Sequence, residues 1–268
     1  MATGVIVCGA AGRMGRLLVA LGHAHGEIEV AGAVEQPGAP QIGHDAGEVA
    51  GVGRIGLPIT TDLAAVARRD RVILDFTSPA AALADLRTAV AAGAAVVIGT
   101  TGFDPAQEEE IRALAPRTRA IVAPNMSLGV NVLLGLVRQA ARALGPAFDI
   151  EVVELHHRYK KDAPSGTALA LARAAADALG RPFPASAVFA RHGQVGERGR
   201  DEIGVQALRA GDAAGEHTVL FGSTGERVEL THRAQSRECF AAGALRAALW
   251  LVGRPNGLYS MADVLGLA

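Results

Sequence analysis

Short aliphatic runs alternate with longer Ala/Leu-rich stretches of helical period through the first half of the chain. That alternation predicts strand, helix, strand, helix. Residues 5–8 read as a strand, a Gly-rich turn follows, and a helix runs from about 13 to 21. Further strands fall at 28–34, 72–76, 96–98 and 120–123. The helix at 79–92 opens on Pro79 and stops at Gly93, the expected punctuation at the two ends of a helix. Asp104-Pro105 caps the next helix, and its early Glu108, Glu109 and Glu110 suit the positive end of the helix dipole. Such alternation makes a mainly parallel, doubly wound sheet.

The pattern changes after Asn125. A long helix spans 127–144 and ends at Gly145-Pro146; a strand at 150–155 and a helix from about 167 to 179 follow. Residues 181–200 are rich in Gly, Pro and Arg and read as a loop. Runs at 203–208, 218–221 and 227–231 read as antiparallel strands joined by turns at Gly211-Asp212 and Gly225. Residues 236–252 are helical again and are expected to return to the first domain. The expected fold is α/β: a Rossmann-like dinucleotide-binding domain, 1–127 plus 237–268, and a second α+β domain, 128–236, with a mixed or antiparallel sheet.

Composition narrows the function. The 268 residues are half apolar and one-fifth charged, as in a globular protein, and the net charge is -1. That balance argues against a nucleic-acid surface or a polybasic membrane patch. No apolar run reaches membrane-spanning length, and the first residues lack the features of a signal peptide, so the cytoplasm is the expected compartment. The two cysteines, Cys8 and Cys239, form no disulfide framework or metal-ligand spacing, and Cys8 reads as a small buried hydrophobe. No metal site is expected.

Two segments carry the chemistry. Gly9-Ala10-Ala11-Gly12-Arg13-Met14-Gly15 joins the first strand to the first helix, where amides at a helix N-terminus can hold a pyrophosphate. Glu35 closes the next strand twenty residues after Gly15, placed to accept from an adenosine ribose. Three more turns lie at strand ends on the same edge: Phe76-Thr77-Ser78-Pro79, Gly99-Thr100-Thr101-Gly102 and Ala123-Pro124-Asn125-Met126. Together they suit a nicotinamide and its ribose. The second segment is His156-His157-Arg158-Tyr159-Lys160-Lys161-Asp162-Ala163-Pro164-Ser165-Gly166-Thr167. Imidazole can pass a proton near neutrality, while lysine and amides at a helix start can hold a carboxylate. Arg209 reads as a salt-bridge or subunit contact; His217 and His232 read as structural residues at strand ends.

The motifs GAAGRMG, DFTSP, VIGTTGF, APNMSLGVN, ELHHRYKKDAPSGTA, RAGDAAGEHTVLF and ERVELTHRAQSRECFAAGALRAALWL resemble those of the dihydrodipicolinate reductase family over nearly the whole chain. The resemblance implies reduction of a cyclic imine dicarboxylate by NADH or NADPH in lysine and diaminopimelate biosynthesis. It implies His156 as general acid or proton relay and Lys160 as second proton donor or carboxylate-polarising cation. His157, Ser165, Gly166 and Thr167 would join Lys160 in binding substrate. Gly9, Ala10, Ala11, Gly12, Arg13, Met14, Glu35, Gln36, Phe76, Thr77, Gly99, Thr100, Thr101, Ala123, Pro124, Asn125 and Met126 would bind coenzyme. The second domain would bind substrate and join a homotetramer.

Two positions depart from many relatives, which carry a basic residue at Gln36 and arginine at Ser78. Both changes remove positive charge beside the adenosine, so NADH is expected to serve at least as well as NADPH. Tyr159 replaces a histidine common in the family. A homoserine or sugar dehydrogenase is the rival enzyme but lacks the His-His-Arg-x-Lys cluster beside Ser-Gly-Thr. A non-catalytic NAD(H) sensor would need neither His156 nor Lys160.

Overall fold

A computed structural model describes residues 2–267, which form two compact units. One comprises the chain up to Leu128 together with Glu238–Gly266; the other is Gly129–Arg237 with Leu267. The first unit is built on strands β1 (Thr3–Cys8), β2 (Ile28–Val34), β3 (Arg71–Asp75), β4 (Ala95–Ile98), β5 (Arg119–Val122) and β11 (Gly257–Tyr259). They form one parallel sheet in the order β11-β5-β4-β3-β1-β2. Helices α1 (Arg13–Ala24) and α8 (Glu238–Leu251) cover one face; α4 (Pro79–Ala92) and α5 (Pro105–Leu114) cover the other. The strands are therefore apolar on both sides, with Val5, Val7 and Leu74 in one core and Ile6, Ile73 and Ile98 in the other. Short helices α2 (Ala46–Ala50), α3 (Leu63–Val66) and α9 (Met261–Leu265) complete the unit.

Register positions the site. Cys8 pairs with Asp75, Asp75 with Ile98, and Ile98 with Val122. Four strands thus end level, and the turns after them stand side by side at the C-terminal edge, where open α/β sheets bind ligands.

In the second unit, α6 (Leu128–Leu144, its first residue in the other unit) and α7 (Gly166–Ala178) pack on one face of a mixed sheet. Its strands are β6 (Asp149–His156), β7 (Ala187–Val188), β8 (Ile203–Arg209), β9 (Gly215–Ser223) and β10 (Glu226–Ala234), ordered β10-β9-β6-β8-β7. One expectation is corrected here. The strand from 203 does not pair antiparallel with its successor: β8 runs parallel to β6, and β6 sits between β8 and β9. The Gly211 turn reverses the chain, but an earlier strand occupies the slot that a hairpin partner would take.

Candidate active site

The glycine loop folds as a tight cradle. Gly9 has a φ of +68°, and the Gly12 amide donates back to the Gly9 carbonyl at 2.9 Å. Gly15 lies so close to that carbonyl and to the Ala10 backbone that any Cβ would overlap them. Gly12 caps α1 without a side-chain bond. A dinucleotide's pyrophosphate fits this cradle, because glycine lets it approach and the helix dipole favours its charge. Ala10 lies on the turn and Arg13 and Met14 open α1, and Ala10 N–H donates to the Val34 carbonyl at 3.1 Å.

Glu35 reaches the cradle directly: its Oε2 accepts from the Ala11 amide at 3.1 Å, and its Oε1 from the Gln36 amide at 3.0 Å. A cleft of about 450 Å³ is lined by Gly9, Gly12, Glu35, Gln36, Phe76 and Thr77 among others. The neighbouring turns are braided. Thr77 N–H donates to Thr100 Oγ1 at 2.9 Å, Thr100 Oγ1 donates to Asp75 at 2.6 Å, and Gly99 packs against the Phe76 ring. Thr101 and Pro124 are exposed at this edge, whereas Ala123 and Met126 are buried. Asn125 Oδ1 accepts from the Ser127 amide at 2.9 Å. The proposed coenzyme residues therefore lie on the turns of one sheet edge and, for Arg13 and Met14, at the start of α1.

The second unit builds its cluster from period-two alternation. Ile150 and Val152 point into the core, and the next residues on that face are Glu154 and His156. Glu154 is fully buried. Its carboxylate accepts from Arg209 at 2.8 and 3.0 Å, from the Ser165 amide at 3.0 Å, and from His156 Nδ1 at 2.5 Å. Burial works against the Glu154 charge, but Arg209, His156 and the Ser165 amide outweigh it and hold its pKa below the ordinary value. An ionised Glu154 requires a proton on His156 Nδ1, which leaves Nε2 as the exchanging atom. Burial lowers the His156 pKa; Glu154 pulls it up, and Lys160 and Arg209 push it down.

Lys160 is mostly covered and pairs with the exposed Asp162 at 2.8 Å. That pairing holds the Asp162 pKa below its usual value. His157 is tied by its amide to the Ala213 carbonyl, and its buried Nδ1 has no partner among the described residues. Gly166 is exposed at the first turn of α7, with Thr167 half-buried beside it. Ser165 stands beside them at the N-cap of α7. It is buried, its hydroxyl caps α7 through the Ala168 amide at 3.1 Å, and the same oxygen lies 3.0 Å from His217 Nε2.

Sequence reasoning missed three partners. Arg209 does form a salt bridge, but to the carboxylate that orients His156. His217, near the start of β9, pairs across the sheet with Glu154, and its ring meets that of His156 edge-on at 5.2 Å. Burial and the nearby His156 charge lower its pKa to about 4, so it is neutral at pH 7. Glu154 itself went unread. Its signal was there, a carboxylate in phase with the buried positions of an apolar strand.

Fold, cradle and polar cluster together define an oxidoreductase that binds a dinucleotide. The chain belongs to the dihydrodipicolinate reductase family: the family's N-terminal model matches residues 3–126 and its C-terminal model residues 129–265. It is 52% identical over 265 residues to a 4-hydroxy-tetrahydrodipicolinate reductase of Anaeromyxobacter dehalogenans strain 2CP-1, covering 99% of this chain and 98% of that one. It is 52% identical over 268 residues to the enzyme of that name from Alkalilimnicola ehrlichii, covering 100% of both. Its fold superposes with TM-score 0.75 on a dipicolinate-bound dihydrodipicolinate reductase from Paenisporosarcina sp. TG-14, at 23% identity over 98% of this chain and 99% of that one. An amine dehydrogenase from Mycobacterium smegmatis shares the fold at TM-score 0.66 and 14% identity, covering 97% and 95%. The chain's role is the family's: NAD(P)H-dependent reduction of 4-hydroxy-tetrahydrodipicolinate in lysine and diaminopimelate biosynthesis. Among the described residues no helix is long and apolar enough to cross a membrane.

Proposed function

We propose that His156 is the proton donor of this reduction and that Nε2 is the atom that gives the proton. The bound nicotinamide supplies a hydride. The observation that carries the reading is the 2.5 Å contact between Glu154 and His156 Nδ1. It fixes the tautomer and stabilises the imidazolium, so proton loss occurs at the other nitrogen. Lys160 exchanges Asp162 for a substrate carboxylate, and the Gly166 and Thr167 amides at the start of α7 hold the other. His157 completes the contact surface. Ser165 acts from behind, holding Glu154 and His217 in place.

The coenzyme is held by the turn from Gly9 to Met14 at its pyrophosphate and by Glu35 at its ribose. Gln36, Phe76 and Thr77 line the adenosine side; Gly99, Thr100, Thr101 and Ala123 to Met126 line the remainder of the edge. NADH serves at least as well as NADPH, because among the described residues the cleft is lined by Glu35, Gln36 and Ser78 and by no Lys, Arg or His, which leaves Arg13 of the glycine loop as the cation for a phosphate. The first unit is thus the dinucleotide-binding domain; the second binds substrate and assembles a homotetramer in the cytoplasm. Support for assembly is the sheet face opposite α6 and α7, where Leu155 lies beside Leu208, itself 51% exposed.

The test is His156→Ala. We expect kcat to fall by about 10²–10⁴, with the Kd for NADH held within about twofold because the two sites are built separately. An unchanged kcat sinks the assignment. Comparing kcat/KM for the two coenzymes tests the second point. A preference for NADPH above about a hundredfold, ~2.7 kcal/mol, overturns it.

A further inference from the structure

The coenzyme cleft has a floor that the glycine motif does not explain. Asp85, on α4, lines it alongside Glu35 and Gln36. One donor atom each of Asp85, Asp75 and Cys8 lies within 4.8 Å of the others. Asp75 is fully buried and accepts from the Thr77 amide at 3.1 Å, from Thr77 Oγ1 at 2.9 Å and from Thr100 Oγ1 at 2.6 Å. Burial first, then Asp75, push the Asp85 pKa up to about 7, with a hydrogen bond to Cys8 acting the other way. Burial, Asp85 and Asp75 raise the Cys8 thiol well above its usual range. At neutral pH the Cys8 thiol therefore keeps its proton and Asp85 is only partly ionised, so the group does not present three anions to a cation. The charged and titratable groups around Asp85 are Asp75, Cys8 and, across the cleft, Glu35, and among the described residues no Lys, Arg or His lines the cleft.

We propose that Asp85 sets coenzyme selectivity: it is a carboxyl on the floor of an acid-lined cleft without cations, and it favours dinucleotides that carry no phosphate on the adenosine ribose. The inference rests on the reading that this cleft holds the adenosine half. A ribose phosphate adds about −1.5 to −2 charges near pH 7, so each charge gained by the cleft costs the phosphorylated coenzyme more than its plain counterpart. Selectivity for NADH consequently grows as Asp85 ionises.

Titrating the whole protein with NADH and NADPH by coenzyme fluorescence tests this, between about pH 6.5, where the phosphate is already largely ionised, and about pH 8.5. We expect the ratio Kd(NADPH)/Kd(NADH) to rise roughly fivefold over that range, the order for one unit charge ~8 Å away in a half-wet cleft. In Asp85→Asn the rise should vanish. The free protein offers a second measurement. A carboxyl that binds its proton more tightly when folded loses stability for the fold as pH climbs from its unfolded value, ~4, through its folded value. Asp85→Asn should therefore melt ~2–4 °C above the parent near pH 8 and level with it near pH 4. Binding with a pH-independent ratio, or the same rise in the variant, overturns the proposal alone. Failure of both coenzymes to bind overturns the reading of the cleft, and the proposal with it. The parent's own ratio decides even if the variant does not fold.

Discussion

Glu154 in the second unit and Asp85 in the first both lose water on folding, yet they go in opposite directions. Glu154 is the more deeply buried and is the one held ionised. Asp85 keeps part of its surface and is the one pushed up to about 7. Desolvation disfavours the charge of both. What separates them is the sign of what was folded beside them: a guanidinium, an imidazole and an amide for Glu154, a second carboxylate for Asp85. One site thereby gains a fixed anion that orients a proton donor. The other gains a carboxyl whose charge changes near physiological pH.

The comparison breaks most severely at Arg209. Arg209→Met removes the bidentate partner and leaves Glu154 buried with a reduced set of donors. Breaking a buried pair from one side typically costs about 3–5 kcal/mol, which urea unfolding at pH 7 would register. The sign of the pH dependence is fixed. Because folding lowers the Glu154 pKa, its contribution is present above the ordinary carboxylate value, ~4.3, and is lost as pH falls through the folded value. The gap between variant and parent should close on acidification; a gap that is constant with pH would show that Arg209 stabilises by packing alone.

A smaller effect is expected from Glu154→Gln, which keeps the shape and removes the charge. Turnover should fall about 10–100-fold, the usual consequence of losing a ligand's orienting partner. The more telling readout is the pH profile. Glu154 raises the His156 pKa, so without it the imidazolium gives up its proton at lower pH. The decline of kcat/KM with rising pH should move down by about one unit. A profile that scales down without moving would reduce Glu154 to a structural role.

The two sites also differ in how far they could be read from the chain. The cradle is written in local terms: glycines at fixed spacing, between a strand and a helix, with an acid closing the next strand. Residues 9–15 and 35 carry it without help from distant parts. The catalytic cluster was legible only where its residues are contiguous, from His156 to Thr167. Arg209 and His217 reach Glu154 through the register of β8 and β9, and the wrong pairing of β8 hid both. Asp85 was hidden differently, being one polar position in the Ala/Leu pattern of α4. Its meaning comes from the level ends of β1 and β3. The short elements failed for want of pattern. A three-residue strand such as β11 has too few positions to show a period, and α2 and α3 are held by their caps Asp45 and Asp62 more than by propensity.

The return of α8 has a consequence for how the protein is made. Ala241, Ala244, Leu245 and Leu251 fill the same core as Val5, Val7 and Leu74. At Gly243 the helix lies against the backbone of Met126 so closely that a Cβ would overlap it. On a ribosome, all of Gly129–Arg237 must emerge before that helix appears, a delay of roughly 5–20 s at ~5–20 residues/s. Until then the nascent first unit has one face of its sheet covered by α1 without α8, and its last coenzyme turn unbraced. The chain reaches coenzyme competence only after its catalytic half has been translated, so a message cut short near codon 237 yields a product whose first unit lacks α8 and part of its core.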